Sequence, residues 1–276
     1  MLGKLLKHEL RATGRIMLPV FGVLVILSLI FNISVRLAER VDFTLLRIFF
    51  GMIGVAFFVG IIAAELLSLI LMIYRFYKNL LSDEGYLMFT LPTDVHALVW
   101  SKLISSLIWI FLTNLLIFLI AFGTVFSFSA TGLAELFRQF PSWSELTQIL
   151  SEAGVSAGHL IGIGLECLLL VLLGGLIVCL HCYAAMALGH MFSHHKILFS
   201  VLFFVGISIV FRVFATTVSF GTLSLVGDEF GHLETFAKTM RVFMLILGYV
   251  GLLSLIEGAI LYVTTTLSLK KGLNLA

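Results

Sequence analysis

A chain of 276 residues that is 61% hydrophobic and 12% charged, with a mean hydropathy of +1.16, lies far outside the soluble globular range. A water-facing enzyme with one compact core is thereby excluded. The net charge of +2 comes with no basic face interleaved with aromatics, which argues against nucleic-acid partners.

Residues 1–15 come first and carry Lys4, Lys7, His8, Arg11 and Arg15 on one helical face, with Leu2, Leu5, Leu6, Leu10 and the following Ile16 on the other. Such a helix is expected to lie in the membrane interface, held by anionic headgroups and buried apolar area. Gly14 and Pro19 are expected to break it before the chain turns into the membrane. Glu9 is out of place in the apolar stripe. It is either a solvated, snorkelling carboxylate or the partner of Arg75 or Lys78 from the next connector.

Six apolar runs follow, near residues 16–35, 45–73, 103–128, 160–188, 197–215 and 240–269. Each satisfies the need for roughly 20 apolar residues to cross a core of about 30 Å. The alternating pattern of a membrane β-barrel occurs nowhere, which leaves helices as the spanning solution. The first run is too long for an ordinary signal peptide and reads as a permanent anchor. With both termini inside, ten basic residues fall on the cytoplasmic side and six outside, favouring N-in, C-in. The expected fold class is therefore an all-α integral membrane protein of six transmembrane helices in a single domain, 1–276.

Between the second and third runs lies an aromatic and acidic connector within residues 75–98. Ser82, Asp83 and Glu84 can start a short helix, Gly85 and Pro92 punctuate the segment, and Thr93 or Asp94 can cap the third span. An interfacial connector accounts for the aromatics, whereas the acidic pair amid basic segments suits a docking surface. The outer loop, residues 129–158, contains Ser142, Trp143, Ser144 and Glu145 in a capping box after Pro141. Residues 216–237 run from apolar to acidic through Asp228, Glu229 and Glu234, as a re-entrant segment would.

Charges inside the runs need interior partners or a wet cavity, because one at mid-bilayer costs about 2.5–3.5 kcal/mol even on the lenient insertion scale. They are Glu65, Glu166, Arg212 and Glu257, with His181 as a further polar group. At 1.5 Å per residue, Arg212 and Glu257 lie about 24 and 20 Å from their cytoplasmic ends, and Glu65 and His181 about 15 and 14 Å. Equal depth pairs Arg212 with Glu257 and Glu65 with His181. Structural ion pairs, a translocation path and a proton relay remain open for them. Cys167, Cys179 and Cys182 share one run and imply no disulfide framework. The two thiols that flank His181 are read as packing residues rather than metal ligands. His190, His194 and His195 are expected at the cytoplasmic interface. Gly51, Gly54, Gly60, Ala64, Gly158 and Gly162 mark small faces for close helix approach.

No GxxxxGK[ST] phosphate loop, HExxH or GxSxG motif occurs. The chain is therefore not read as an enzyme, with intramembrane proteolysis through Glu65, Glu166 and His181 as the enzymatic alternative. The basic lead KLLKHELRATGR (4–15), the connector RFYKNLLSDEGYLMFTLP (75–92) and six spans with both ends inside resemble the small permease subunits of bacterial type-2 ABC exporters. This resemblance covers essentially the whole chain. It implies a bacterial plasma-membrane protein whose lead is an elbow helix. Its connector would hold a coupling helix that docks on an ATPase through Asp83, Glu84, Tyr86 and Phe89, with Lys78 and Glu9 alongside. It further implies two ATPase subunits carrying ATP and Mg, a second permease, identical or homologous, and a hydrophobic or amphipathic substrate such as a peptide, lipid or drug. A transporter or channel using the buried carboxylates without ATP is the alternative from a different class.

Overall fold

The computed structural model describes residues 2–38, 40, 43–90, 94–128, 144, 145, 148, 152, 157–192, 195–230 and 236–271. For residues 83, 84, 86, 89, 125–128, 157, 222–230, 236–239, 241 and 271 it describes the helix alone. Described residues contain helices and no strands. In chain order they are α1 (Leu2–Ala38), α2 (Thr44–Phe76), a π-helical turn (Tyr77–Leu81), α3 (Asp83–Thr90), α4 (Val95–Phe128), α5 (Ala157–Gly189), α6 (Lys196–Phe230) and α7 (Phe236–Lys271). All but α3 and the π-turn are long and apolar enough to cross a membrane, six helices that overlie the six apolar runs. The protein is a multi-pass membrane protein.

Two boundaries differ from expectation. α1 runs unbroken through Gly14 and Pro19, so the amphipathic lead and the first span are one helix. Its basic face is exposed as the periodicity requires, while Glu9, Thr13, Gly14 and Met17 are buried on the other side. Those buried residues give the helix tertiary contacts on both sides of Gly14, which offset the local penalty for glycine. α6 likewise continues to Phe230, so residues 216–230 form a helical extension of the fifth span and not a separate re-entrant element. Thr216 and Thr217 donate their hydroxyls to the Arg212 and Val213 carbonyls four residues back, which keeps them inside the helix. Of the outer capping box, Ser142 and Trp143 lie outside the described residues, while Ser144 and Glu145 are helical.

The chain forms two compact units. The first comprises residues Met1–Arg75 and Trp100–Phe140, that is α1, α2 and most of α4. Glycines set its α1–α2 spacing: a Cβ at Gly54 would meet the Phe31 ring at 3.2 Å and one at Gly60 would meet Leu27 at 3.0 Å. Those contacts fall in α1 as they rise in α2, so the two helices are antiparallel. Leu24, Phe57, Ala64 and Ile120 form one core cluster, and Met17, Met72 and Trp109 form another. Without a hydrophobic driving force in lipid, such packing and the hydrogen bonds beside it carry helix association.

The second unit comprises Phe76–Val99 and Pro141–Ala276, with α5 packed against both α6 and α7. Gly162 faces Met244, Gly251 faces Leu170, and Gly258 faces Leu176 and Ile177. Numbers rise together on both helices, so α5 and α7 are parallel, as the fourth and sixth spans of an alternating six-span chain must be. α5 therefore supplies the neighbour of each later helix. This decides which polar groups meet.

Candidate functional site

Glu9 joins three helices of the first unit through ion pairs. Only 7% exposed on α1, it accepts a hydrogen bond from Arg75 Nε of α2 at 3.0 Å and from Lys102 Nζ of α4, which is itself 3% exposed. One carboxylate thus joins three helices. The next turn extends the node: the Thr13 hydroxyl donates to the Glu9 carbonyl at 2.7 Å, and Trp109 Nε1 donates to the Thr13 hydroxyl at 2.6 Å. Gly14 leaves room for the Trp109 ring, where a Cβ would sit 3.3 Å from the indole. Of the two readings of Glu9, the structure gives the salt bridge with Arg75. Lys102 and Trp109 escaped sequence reasoning, since Lys102 looked like one more basic residue beside a span. Its position within a serine-rich stretch, directly after Ser101 and before Ser105 and Ser106, all buried, was the available signal.

In the second unit, the connector is anchored on α5. Phe76 stacks on Tyr183 with centroids 3.8 Å apart, and Tyr77 meets the His190 ring edge-on at 5.3 Å. Burial pushes the His190 imidazole below the usual histidine range, and nearby Lys196 acts in the same direction, while a hydrogen bond from its Nδ1 to the Met186 carbonyl opposes them. The π-turn closes with Ser82 N–H donating to the Tyr77 carbonyl at 3.1 Å. α3 then folds back so closely that a Cβ at Gly85 would lie 2.6 Å from the Leu80 carbonyl oxygen. Only glycine fits there. α3 begins at Asp83, as the acidic start predicts, and α4 at Val95, which leaves Asp94 at the N-cap position; Thr93 lies outside the described residues. Asp83, Glu84, Tyr86 and Phe89 lie on α3, their side chains outside those described, whereas Leu87 is 67% exposed and Lys78 is exposed on the π-turn. His96 of α4 bridges Tyr262 and Lys270 of α7 at 2.7 and 3.0 Å. The lysine can only donate, so Nε2 accepts and Nδ1 holds the proton.

The expected charge pairs by depth are not the ones formed. Glu257 meets His181 Nδ1 at 3.5 Å across α5 and α7, instead of Arg212. Arg212 is exposed on α6, and no ion pair is made by it among the described residues. Glu65 accepts a hydrogen bond from Asn114 of α4 at 3.1 Å, instead of meeting His181, and its other oxygen is buried without a hydrogen-bond partner. Depth equates positions along helices but leaves their rotation and their neighbours open. Phe204 and Phe211 of α6 pack edge-on to His181, seven residues apart on the face α6 turns to α5. Arg212, one residue on from Phe211, falls off that face. Cys179 and Cys182 are buried, and no group of three or more metal-binding side chains occurs among the described residues.

Glu166 is half-buried on α5 and lines a concavity of about 680 Å³ with His159, Met244, Leu245, Gly248, Tyr249 and Leu252. Its Oε2 and the Tyr249 hydroxyl are both buried without a hydrogen-bond partner. No family model, curated protein or solved structure matches this chain.

Proposed function

We propose that the chain is the permease subunit of an ATP-driven exporter, in which α3 is the coupling helix that docks on a separate ATPase. The observation that carries this reading is the connector itself. A short helix held by a π-turn, braced through Phe76 on Tyr183 and requiring Gly85 for its close return, is more structure than a simple link between two spans needs. Leu87, 67% exposed on that helix, adds an apolar anchor to the Tyr86 and Phe89 positions. ATP and Mg are then held by the partner, in keeping with a sequence that carries no phosphate loop. In this reading two permeases, identical or homologous, pair with two ATPase subunits in a bacterial plasma membrane. Both termini are inside, and residues 2–15 form the inner end of α1, continuous with the first span. Asp83, Glu84 and Lys78 form the rim of the docking surface, while Glu9 holds Arg75 immediately before the connector. The unpartnered oxygen of Glu65 in the first unit, and separately that of Glu166 in the second, favour a second reading, an ATP-independent transporter that moves a cation or proton.

The test is co-purification with a candidate ABC ATPase, followed by transport in vesicles. Tyr86→Ala, Leu87→Asp and Phe89→Ala are expected to weaken assembly or uncouple hydrolysis from transport, because truncated anchors remove most binding energy. Asp83→Lys with Glu84→Lys should make the loss sensitive to salt. Full-rate transport by the lone chain without ATP would rule the exporter reading out in favour of the second.

A further inference from the structure

The cleft between α5 and α7 combines two features that apolar packing alone does not explain. Glu166 and Tyr249 each bury a polar atom with no hydrogen-bond partner, and both line the same concavity, whose remaining wall is His159, Gly248 and the apolar Met244, Leu245 and Leu252. Leaving a buried polar atom unpaired costs about 1–3 kcal/mol, and more for a charged group. Gly248 opens the space beside them, since nothing lies within 4 Å of a Cβ built there. The helices hold this gap open because their seam is closed on either side, by Gly162 against Met244 and by Gly251 against Leu170. Leu245 and Leu252 are 71% and 57% exposed, so the cleft opens on an apolar surface of this unit.

We propose that this cleft binds a protonated amine carried on an apolar body. The ammonium would donate to the Glu166 carboxylate and to the Tyr249 hydroxyl oxygen, while the apolar body lies along Leu245, Gly248 and Leu252. A carboxylate repels an anionic headgroup, and an uncharged chain would leave both polar atoms unpaired. A bare metal ion is a poor occupant: calcium takes 6–8 oxygen ligands and magnesium a near-ideal octahedron, far more than one carboxylate and one phenol provide. An ammonium needs only a few acceptors, and charge-assisted hydrogen bonds to it are about twice as strong as neutral ones. Occupancy concerns binding alone and does not rest on the exporter reading.

Calorimetric titration of the full chain in a non-ionic detergent tests this, with dodecylamine as the probe and dodecanol as its uncharged counterpart. Dodecylamine should bind at least about tenfold more tightly than dodecanol. Glu166→Gln should abolish that preference, and Tyr249→Phe should reduce it. Gly248→Leu should block binding by bulk while keeping the carboxylate, which separates loss of the site from loss of charge. Unchanged thermal unfolding midpoints identify variants that remain folded. Native mass spectrometry then distinguishes two sources of the amine. Selective retention of phosphatidylethanolamine over phosphatidylcholine and phosphatidylglycerol assigns a membrane aminolipid; dodecylamine binding without it assigns a diffusible amphiphile, and either supports the proposal. Equal affinity for dodecylamine and dodecanol, or a folded Glu166→Gln that keeps the preference, overturns it.

Discussion

Glu9 and Lys102, 93 positions apart in the chain, form a buried ion pair to which Arg75 adds a second cation, so that α1, α2 and α4 share one charged node. Taking charges out of water costs several kcal/mol each, and the penalty is met only while the partners stay together. Glu9→Ala should therefore destabilise the protein by about 3–5 kcal/mol, because Lys102 is left buried and uncompensated. Adding Lys102→Met should recover part of the loss, and Arg75, whose side chain is 21% exposed, can reach water by itself. Denaturation of the single and double variants in bicelles measures the coupling, and strict additivity would refute a shared node.

Gly85 faces backbone, which cannot move aside as a side-chain tip can. Gly85→Ala should cost about 1–3 kcal/mol through displacement of α3 or of the π-turn. Gly174→Ala is the control, since nothing lies within 4 Å of its Cβ position, and it should be neutral or stabilising by up to about 1 kcal/mol. Protease cleavage within the connector should accelerate in the first variant only.

His181 and Glu257 should be coupled, and Arg212 and Glu257 should not. Alanine substitutions at the first pair are expected to show an interaction energy of about 0.5–3 kcal/mol, whereas those at the second should add within about 0.5 kcal/mol. A thermodynamic cycle for each pair decides the matter. Coupling of Arg212 with Glu257 would restore the pairing by depth.

Topology is open to single-cysteine labelling in a background from which Cys167, Cys179 and Cys182 have been replaced. Under the proposed orientation, positions 83 and 84 should label only after the membrane is permeabilised, and positions 145 and 228 should label in intact cells. Labelling of position 83 from outside would invert the arrangement, because the ten-to-six excess of basic residues is the basis for it.

Hydropathy alone determined the six spans, because the cost of placing a residue in lipid is paid locally and sums along the chain. The helical start at Asp83 and the end of the connector at Asp94 were legible for the same reason: a cap acts on backbone groups within three or four residues of itself. Unbroken helix through Pro19 was not legible, since the contacts that stabilise it come from Trp109 on α4 and Met72 on α2. Pairing among charges was legible least. Glu9 announced itself as a misfit, but Lys102 became its partner only when α4 was laid beside α1. His181 took Glu257 because α5 packs on α7. Sequence fixes how deep a residue lies along its helix; which neighbour that helix has, and which way it is turned, depend on side-chain packing between segments tens of residues apart, and those two variables decide whether two charges at the same depth ever meet.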